Sequence, residues 1–295
     1  AKVHLYNGNY QEARTLAQEV INSGEFKLLG GAELPSKSFA DLFTYQNNNN
    51  EESIFSLQWK VNGVYGNASN CNTQFGISNG TISTSNASYG GVFSPSQDIL
   101  GLYDSNDLRR RETIMFPGTT YPEILAKNGS NFGPLVVPAA NEIGGQQTGS
   151  AIKKYCIGIE NGAVTGPIDG WAMMNNNTYI MRYAELLLIH AEAVLAGGAS
   201  TSNTSALNSI NAVRNRAGLS SLSSFTFNDL FAERRKELAF EGNLLFDLMR
   251  KKKDITRADV TPVVKNLLTD DDRLIMPLPA NTVNANRNMK QNPGY

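Results

Sequence analysis

Histidine and cysteine are nearly missing from this chain of 295 residues: His4 and His190, Cys71 and Cys156 are all there are. So few ligands leave little room for a His/Cys zinc site or a multi-histidine active centre. Excess charge is missing as well. Lys and Arg number 26 against 27 Asp and Glu, a net charge of −1, which supplies no basic footprint for nucleic acid. No apolar run approaches the roughly 18 residues of a membrane-spanning helix, the richest stretch being Ala184 to Ile189. The first residue is Ala, with no basic and apolar leader pattern before the first helix.

What is present is 41% apolar residues, abundant Gly and Asn, and an uninterrupted run Asn47 to Asn50. That is enough to bury a core and implies many turns. Residues 1–29 read as two helices. Gly8 and Asn9 form the turn, and Tyr10, Ala13, Leu16, Ala17, Val20 and Ile21 recur at three and four spacing. Alanines every four residues let helices approach closely, as in a tetratricopeptide-type repeat.

Residues 30–178 read as irregular and loop-rich. Strands are expected at Ser53–Lys60 and Ala151–Ile159, a short helix at Asp98–Tyr103, and loop over 61–91 and 117–149. Helices return at Tyr179–Ala196, Asn203–Ala217 and Asn228–Lys252, the last expected as the longest. A short helical or extended run is expected at Val263–Leu268. The tail from Leu274 contains Pro277 and Pro279 and reads as extended.

Four segments of this second half carry a resemblance. They are Tyr179-Ile-Met-Arg-Tyr-Ala-Glu-Leu-Leu-Leu-Ile-His-Ala-Glu-Ala193, Ile210-Asn-Ala-Val-Arg-Asn-Arg-Ala-Gly-Leu219, Glu233-Arg-Arg-Lys-Glu-Leu-Ala-Phe-Glu-Gly242 with Phe246-Asp-Leu-Met-Arg250, and Met276-Pro-Leu-Pro279 with Gln291-Asn-Pro-Gly-Tyr295. In this order and spacing the chain resembles the SusD/RagB family, surface lipoproteins that partner TonB-dependent transporters in Bacteroidetes. Asn243, Leu244 and Leu245 stand where family members often carry His-Arg-Trp.

The resemblance implies a mainly α fold, with tetratricopeptide-like helical hairpins at both ends and a loop-rich insertion carrying short β-strands. It further implies one SusD-like domain over 1–295 lacking its N-terminal part, with a lipid anchor absent from this chain. The implied function is non-catalytic capture of oligosaccharide or polysaccharide at the outer-membrane surface and delivery to a SusC-like transporter. No cofactor and no metal are expected. Peptide capture by the same kind of lid, and a purely protein-binding repeat scaffold, are the alternatives.

Sugar recognition needs flat aromatic faces for the pyranose ring and amides or hydroxyls for its rim. Trp59, Tyr65, Tyr89 and Trp171 are the aromatics near polar loops, with Asn70 and Asn72 among the neighbouring amides. Tyr65 and Tyr89 sit beside Gly and Asn, whereas Trp59 lies within a strand pattern. Arg182, Glu185, Arg214, Glu233, Arg234 and Glu241 are expected to bridge helices, in preference to forming the carboxylate pair of a glycosidase. Asp270 to Asp272 reads as a solvated loop, His190 as a core histidine, and the pairing of Cys71 with Cys156 stays open.

Overall fold

The structure is a computed structural model that describes residues 1–60, 69, 74–77, 92–128, 131–139, 148–157, 174–251, 276–286 and 288–293. Its helical part begins with α1 (Lys2–Tyr6) and α2 (Tyr10–Ser23), closed at Gly24 in the left-handed conformation (φ 67°). It continues after the insertion with α5 (Tyr183–Leu195), α6 (Thr204–Arg216) and α7 (Phe227–Glu237). Asn203 caps α6 through its side chain, and Thr226 with Asp229 forms a reciprocal capping box on α7.

These helices share one core: Ala17 and Leu28 meet Leu187, Leu188 and Ala191 of α5, Ile210 and Val213 of α6, and Leu230 of α7. Ala13 and Ala17 are fully buried. The spacing of small residues thus does what close helix approach requires, and the helices before and after the insertion pack on each other within residues 1–242.

The insertion opens with two 3-10 turns, Ala40–Phe43 and Tyr45–Asn47. Among the described residues, three two-stranded antiparallel sheets follow. β1 (Ser53–Leu57) pairs with β6 (Thr178–Arg182), Ser53 opposite Arg182 and Leu57 opposite Thr178, with irregular register between. β2 (Ile114–Met115) pairs with β5 (Ala151–Ile152), and β3 (Thr120–Asn128) with β4 (Asn131–Val136). Short helices α3 (Gln97–Leu102) and α4 (Arg109–Thr113) precede β2.

Several sequence expectations need correction. Residues 117–149 contain the β3–β4 ribbon, whose Tyr121, Ile124 and Leu135 are buried; Pro122, Gly133 and Pro134 mask it because a two-stranded ribbon consists of edges, where proline is tolerated. Tyr179–Arg182 is strand, since backbone pairing with β1 overrides its helical periodicity. The strand at 151 ends at Ile152, and residues 158 and 159 lie outside the described residues.

The long helix expected at 228–252 is broken after Glu237. Arg182 and Lys154 donate to the Glu237 carbonyl oxygen at 2.7 and 3.0 Å, satisfying a helix-end acceptor from outside. Phe240 and Gly242 then turn with φ of 63° and 80°. The run 263–268 and Asp270 to Asp272 lie outside the described residues.

Residues 243–295 form a second compact unit. It contains α8 (Leu244–Lys251), with an Asp247–Arg250 pair at 2.7 Å. Its tail holds a helix the prolines did not exclude, α9 (Ala280–Ala285), because Pro279 occupies the N-cap, where no helical N–H is needed. Gln291 bonds both backbone groups of Leu278 at 2.8 Å.

Beneath the helical core of the first unit lies a network of buried charge. Arg182 binds Glu52, Glu237 and Glu241; Arg216 binds Glu52 and Glu237; Arg109 binds Asp107, Glu233 and Glu237; Lys154 binds Glu241; Arg214 binds Glu233. Five cations thus face five carboxylates, and apart from partly exposed Arg214 their side chains are almost fully buried. Burial alone would raise the Glu237 carboxyl, but Arg216, Arg182, Arg109 and Lys154 overcome that and hold it well below the usual carboxylate range. Burial pulls the Lys154 ammonium down to about 8. Glu185, between Lys2 (2.8 Å) and Arg234 (3.5 Å), joins α1, α5 and α7. The helix bridging expected of Glu185, Arg214, Glu233 and Arg234 is what the structure shows, whereas Arg182 and Glu241 pair from a strand and a turn.

Arg182→Ala leaves three buried carboxylates short of their shared guanidinium; we expect a loss of about 3–5 kcal/mol, read from urea unfolding. His190 generates a separate acid-side prediction. Burial, with Arg14 adding to it, pushes its imidazole down to about 4, so the unfolded chain binds a proton the folded chain refuses. Stability is full above the ordinary histidine value and falls toward pH 4 at up to about 1.4 kcal/mol per pH unit. His190→Gln should flatten that slope in a pH series of denaturant midpoints.

Candidate functional site

Of the residues singled out for sugar contact, Tyr65, Asn70, Asn72, Tyr89 and Trp171 lie outside the described residues. Trp59 is described, just beyond the end of β1 and half-buried. Its backbone N–H donates to Asn177 Oδ1 at 3.2 Å and its indole N–H to Thr178 Oγ1 at 2.9 Å. The indole N–H is thereby committed to a partner within the chain.

A cluster of carboxamides surrounds it. Asn49 and Gln58 exchange hydrogen bonds at 3.0 and 2.9 Å, and the Asn177 amide donates to both, at 3.2 and 2.8 Å. Asn49 adopts φ 57°, a left-handed conformation that Asn accepts more readily than other side chains. Its amide and that of Gln58 are exposed, whereas Asn177 is buried. The arrangement is a neutral rim of amide donors and acceptors beside one aromatic ring.

The asparagine run fastens this rim to the frame. Asn48 donates to Asn175 O and accepts from Asn177 N, both at 2.8 Å. Asn50 donates to Tyr179 Oη at 2.6 Å, and that hydroxyl donates to Leu42 O at 2.8 Å. Sequence reading took Asn47 to Asn50 as turn formers and missed this cross-chain role, for which no local pattern exists. An antiparallel bridge between Ser69 and Met174 (2.9 and 2.8 Å) joins two further points of the chain. Asn70 follows the first directly and Trp171 precedes the second by three positions in sequence.

No group of three potential metal ligands of the His, Cys, Asp or Glu type occurs among the described residues, and no described helix is long and apolar enough to cross a membrane. Cys156 is buried with its Sγ 3.2 Å from Ile152 O; Cys71 lies outside the described residues.

With this frame in view, the comparisons define the class. The SusD family model matches residues 30–295. The chain belongs to the SusD family. A SusD-like protein of Bacteroides ovatus is 30% identical over 250 residues, 82% of this chain and 40% of that protein. Among solved structures, a laminarin-binding SusD-like protein is 26% identical with a TM-score of 0.72, covering 100% of this chain and 60% of its own. A structure with xylogluco-oligosaccharide is also 26% identical, TM-score 0.66, covering 90% and 49%. The chain therefore spans about half the length of the relatives it matches.

Trp59→Phe keeps the ring and removes the bond to Thr178. We expect a cost of about 1 kcal/mol in thermal or urea unfolding, with helix content by circular dichroism unchanged.

Proposed function

We propose that this chain is the glycan-binding part of a SusD-type surface protein, holding an oligosaccharide without breaking it. The observation that carries the reading is the 26% identity, across 90–100% of the chain, to a laminarin-binding protein and to a protein solved with xylogluco-oligosaccharide. The local chemistry supports it. One oriented indole and a rim of neutral amides suit a pyranose, whose apolar face stacks and whose hydroxyls exchange hydrogen bonds.

Tyr65, Tyr89 and Trp171 are proposed as further stacking faces and Asn70 and Asn72 as further amides. The Ser69–Met174 bridge supports grouping Asn70 with Trp171, since Asn70 follows its first residue and Trp171 precedes its second by three positions. A binding role also agrees with the state of the helix carboxylates. A glycosidase acid needs a raised pKa, whereas Glu237 and Glu241 are both lowered despite burial, by the surrounding Arg and Lys side chains. Delivery to a SusC-like TonB-dependent transporter at the outer-membrane surface, the one-domain organisation over 1–295 and anchoring through a lipid completed elsewhere belong to the same proposal.

The test is a glycan array with isothermal titration of any hit, on wild type and on Trp59→Ala, Tyr65→Ala and Tyr89→Ala. Binding without release of shorter sugars is expected, weakened by about 2 kcal/mol on loss of a stacking ring. Binding indifferent to all three rings would move the site elsewhere. Peptide binding in place of glycan would change the ligand class.

A further inference from the structure

Two backbone groups, whose hydrogen-bonding character is fixed, decide which way the amides beside Trp59 face. The Trp59 main-chain N–H can only donate, so the Asn177 atom 3.2 Å from it is the oxygen, Oδ1. The Asn177 NH2 group is thereby turned toward its neighbours, and it donates to Asn49 Oδ1 at 3.2 Å and to Gln58 Oε1 at 2.8 Å. The Ser56 carbonyl can only accept, and Gln58 Nε2 lies 3.4 Å from it. That contact sets the Gln58 amide in the same sense, independently of Asn177. Asn177 is itself anchored, since its backbone N–H donates to Asn48 Oδ1 at 2.8 Å and Thr178 after it opens β6.

Hydrogens and lone pairs then give the rim a polarity. Asn49 Oδ1 accepts from Gln58 and Asn177, and Gln58 Oε1 accepts from Asn49 and Asn177. An amide oxygen has two lone pairs, so both oxygens are fully used. One Asn49 amide hydrogen goes to Gln58, and the other has no acceptor among the described residues. One Gln58 hydrogen goes to Asn49, and the other faces Ser56 O at the long distance above. Asn49 and Gln58 are exposed, whereas Asn177 is 6% exposed. What the pair offers outward is therefore N–H.

The consequence for a ligand is directional. Neutral N–H donors meet hydroxyl, ring and carbonyl oxygens through their lone pairs. They have nothing to give an ammonium group, which carries three donors and no acceptor.

Resting on the glycan-binding reading above, we propose that Asn177 is a positioning residue that locks this rim as a hydrogen-bond donor. The site then takes saccharides through their acceptor oxygens and turns away amino sugars.

The test uses the full chain and Asn177→Asp, with NMR of the side-chain amides and calorimetry of laminarihexaose binding. In ligand-free wild type, one Asn49 Nδ2 proton should exchange quickly with water and its geminal partner slowly. Asn177→Asp, read above neutral pH, keeps an acceptor for Trp59 and sets a second oxygen against Asn49 and Gln58. Both amides should turn over and their signals move, and laminarihexaose affinity should fall about tenfold, the effect of one hydrogen bond. Wild type should also favour laminarihexaose by about tenfold over a glucosamine hexamer at mildly acid pH, where the amines are ionised.

Asn49 protons that exchange alike overturn the proposal. So do Asn49 and Gln58 signals unmoved in Asn177→Asp, or a glucosamine hexamer that binds as tightly as laminarihexaose. If Asn177→Asp does not fold, the wild-type exchange pattern and the sugar preference decide. Wild type that binds no glycan overturns the functional reading and the selectivity with it, while the ligand-free spectra still decide the orientation of the rim. The two failures are thereby told apart.

Discussion

Arg182 and the carboxylates it holds are what the rest of the first unit depends on. Its guanidinium reaches Glu52, inside the insertion just ahead of β1, and Glu237 and Glu241, from the end of α7 and the turn beyond. One side chain thereby ties the exit of the insertion to the start of β1 and to the end of α7. Arg182, Arg216 and Arg109 each meet two or three carboxylates, and Glu52, Glu233, Glu237 and Glu241 each meet two or three cations, the condition under which burial of charge is tolerable. Phe39 and Phe43 close over the cations, with Lys154 Nζ 5.0 Å from the Phe43 ring and Arg216 5.2 Å from the Phe39 ring.

This division of labour separates rigidity from recognition. Charge is spent inside the scaffold, and the candidate recognition rim is neutral: an indole and carboxamides whose orientation is set by hydrogen bonds among themselves. A neutral rim is consistent with the uncharged ligand proposed above.

The helical ends were legible in the sequence where their signals are local, as in the alanine spacing of α2; the Thr226 and Asp229 box that starts α7 was not read, and that helix was expected from Asn228. The other failures were non-local. Tyr179–Arg182 has a helical pattern and becomes a strand because β1, over a hundred residues earlier, supplies its partner. The helix at 228 stops at Glu237 because Lys154 and Arg182, distant in sequence, take its final carbonyl. For the candidate site, Trp59 was singled out from residue type alone, as one aromatic among four. The amides that frame it, Asn49, Gln58 and Asn177, were not, since only tertiary structure brings 49 and 58 to 177. His190 was read as a core histidine, and half of that holds: one ring nitrogen is satisfied by Ser209, the other is not.

The pairing of β1 with β6 makes the stretch between them a closed loop, tied at its neck by Ser53 opposite Arg182 and sealed by the ion cluster behind it. For such a loop, closure entropy grows only logarithmically with length, so doubling it costs about 0.6 kcal/mol. Beyond the neck, Asp107, Arg109 and Lys154 are bound into the ion network, and at the closure cost alone the segments between them can lengthen or shorten cheaply. The fold is in that sense a fixed handle for interchangeable heads, and a lineage needing a new ligand can rewrite the head without re-solving the handle.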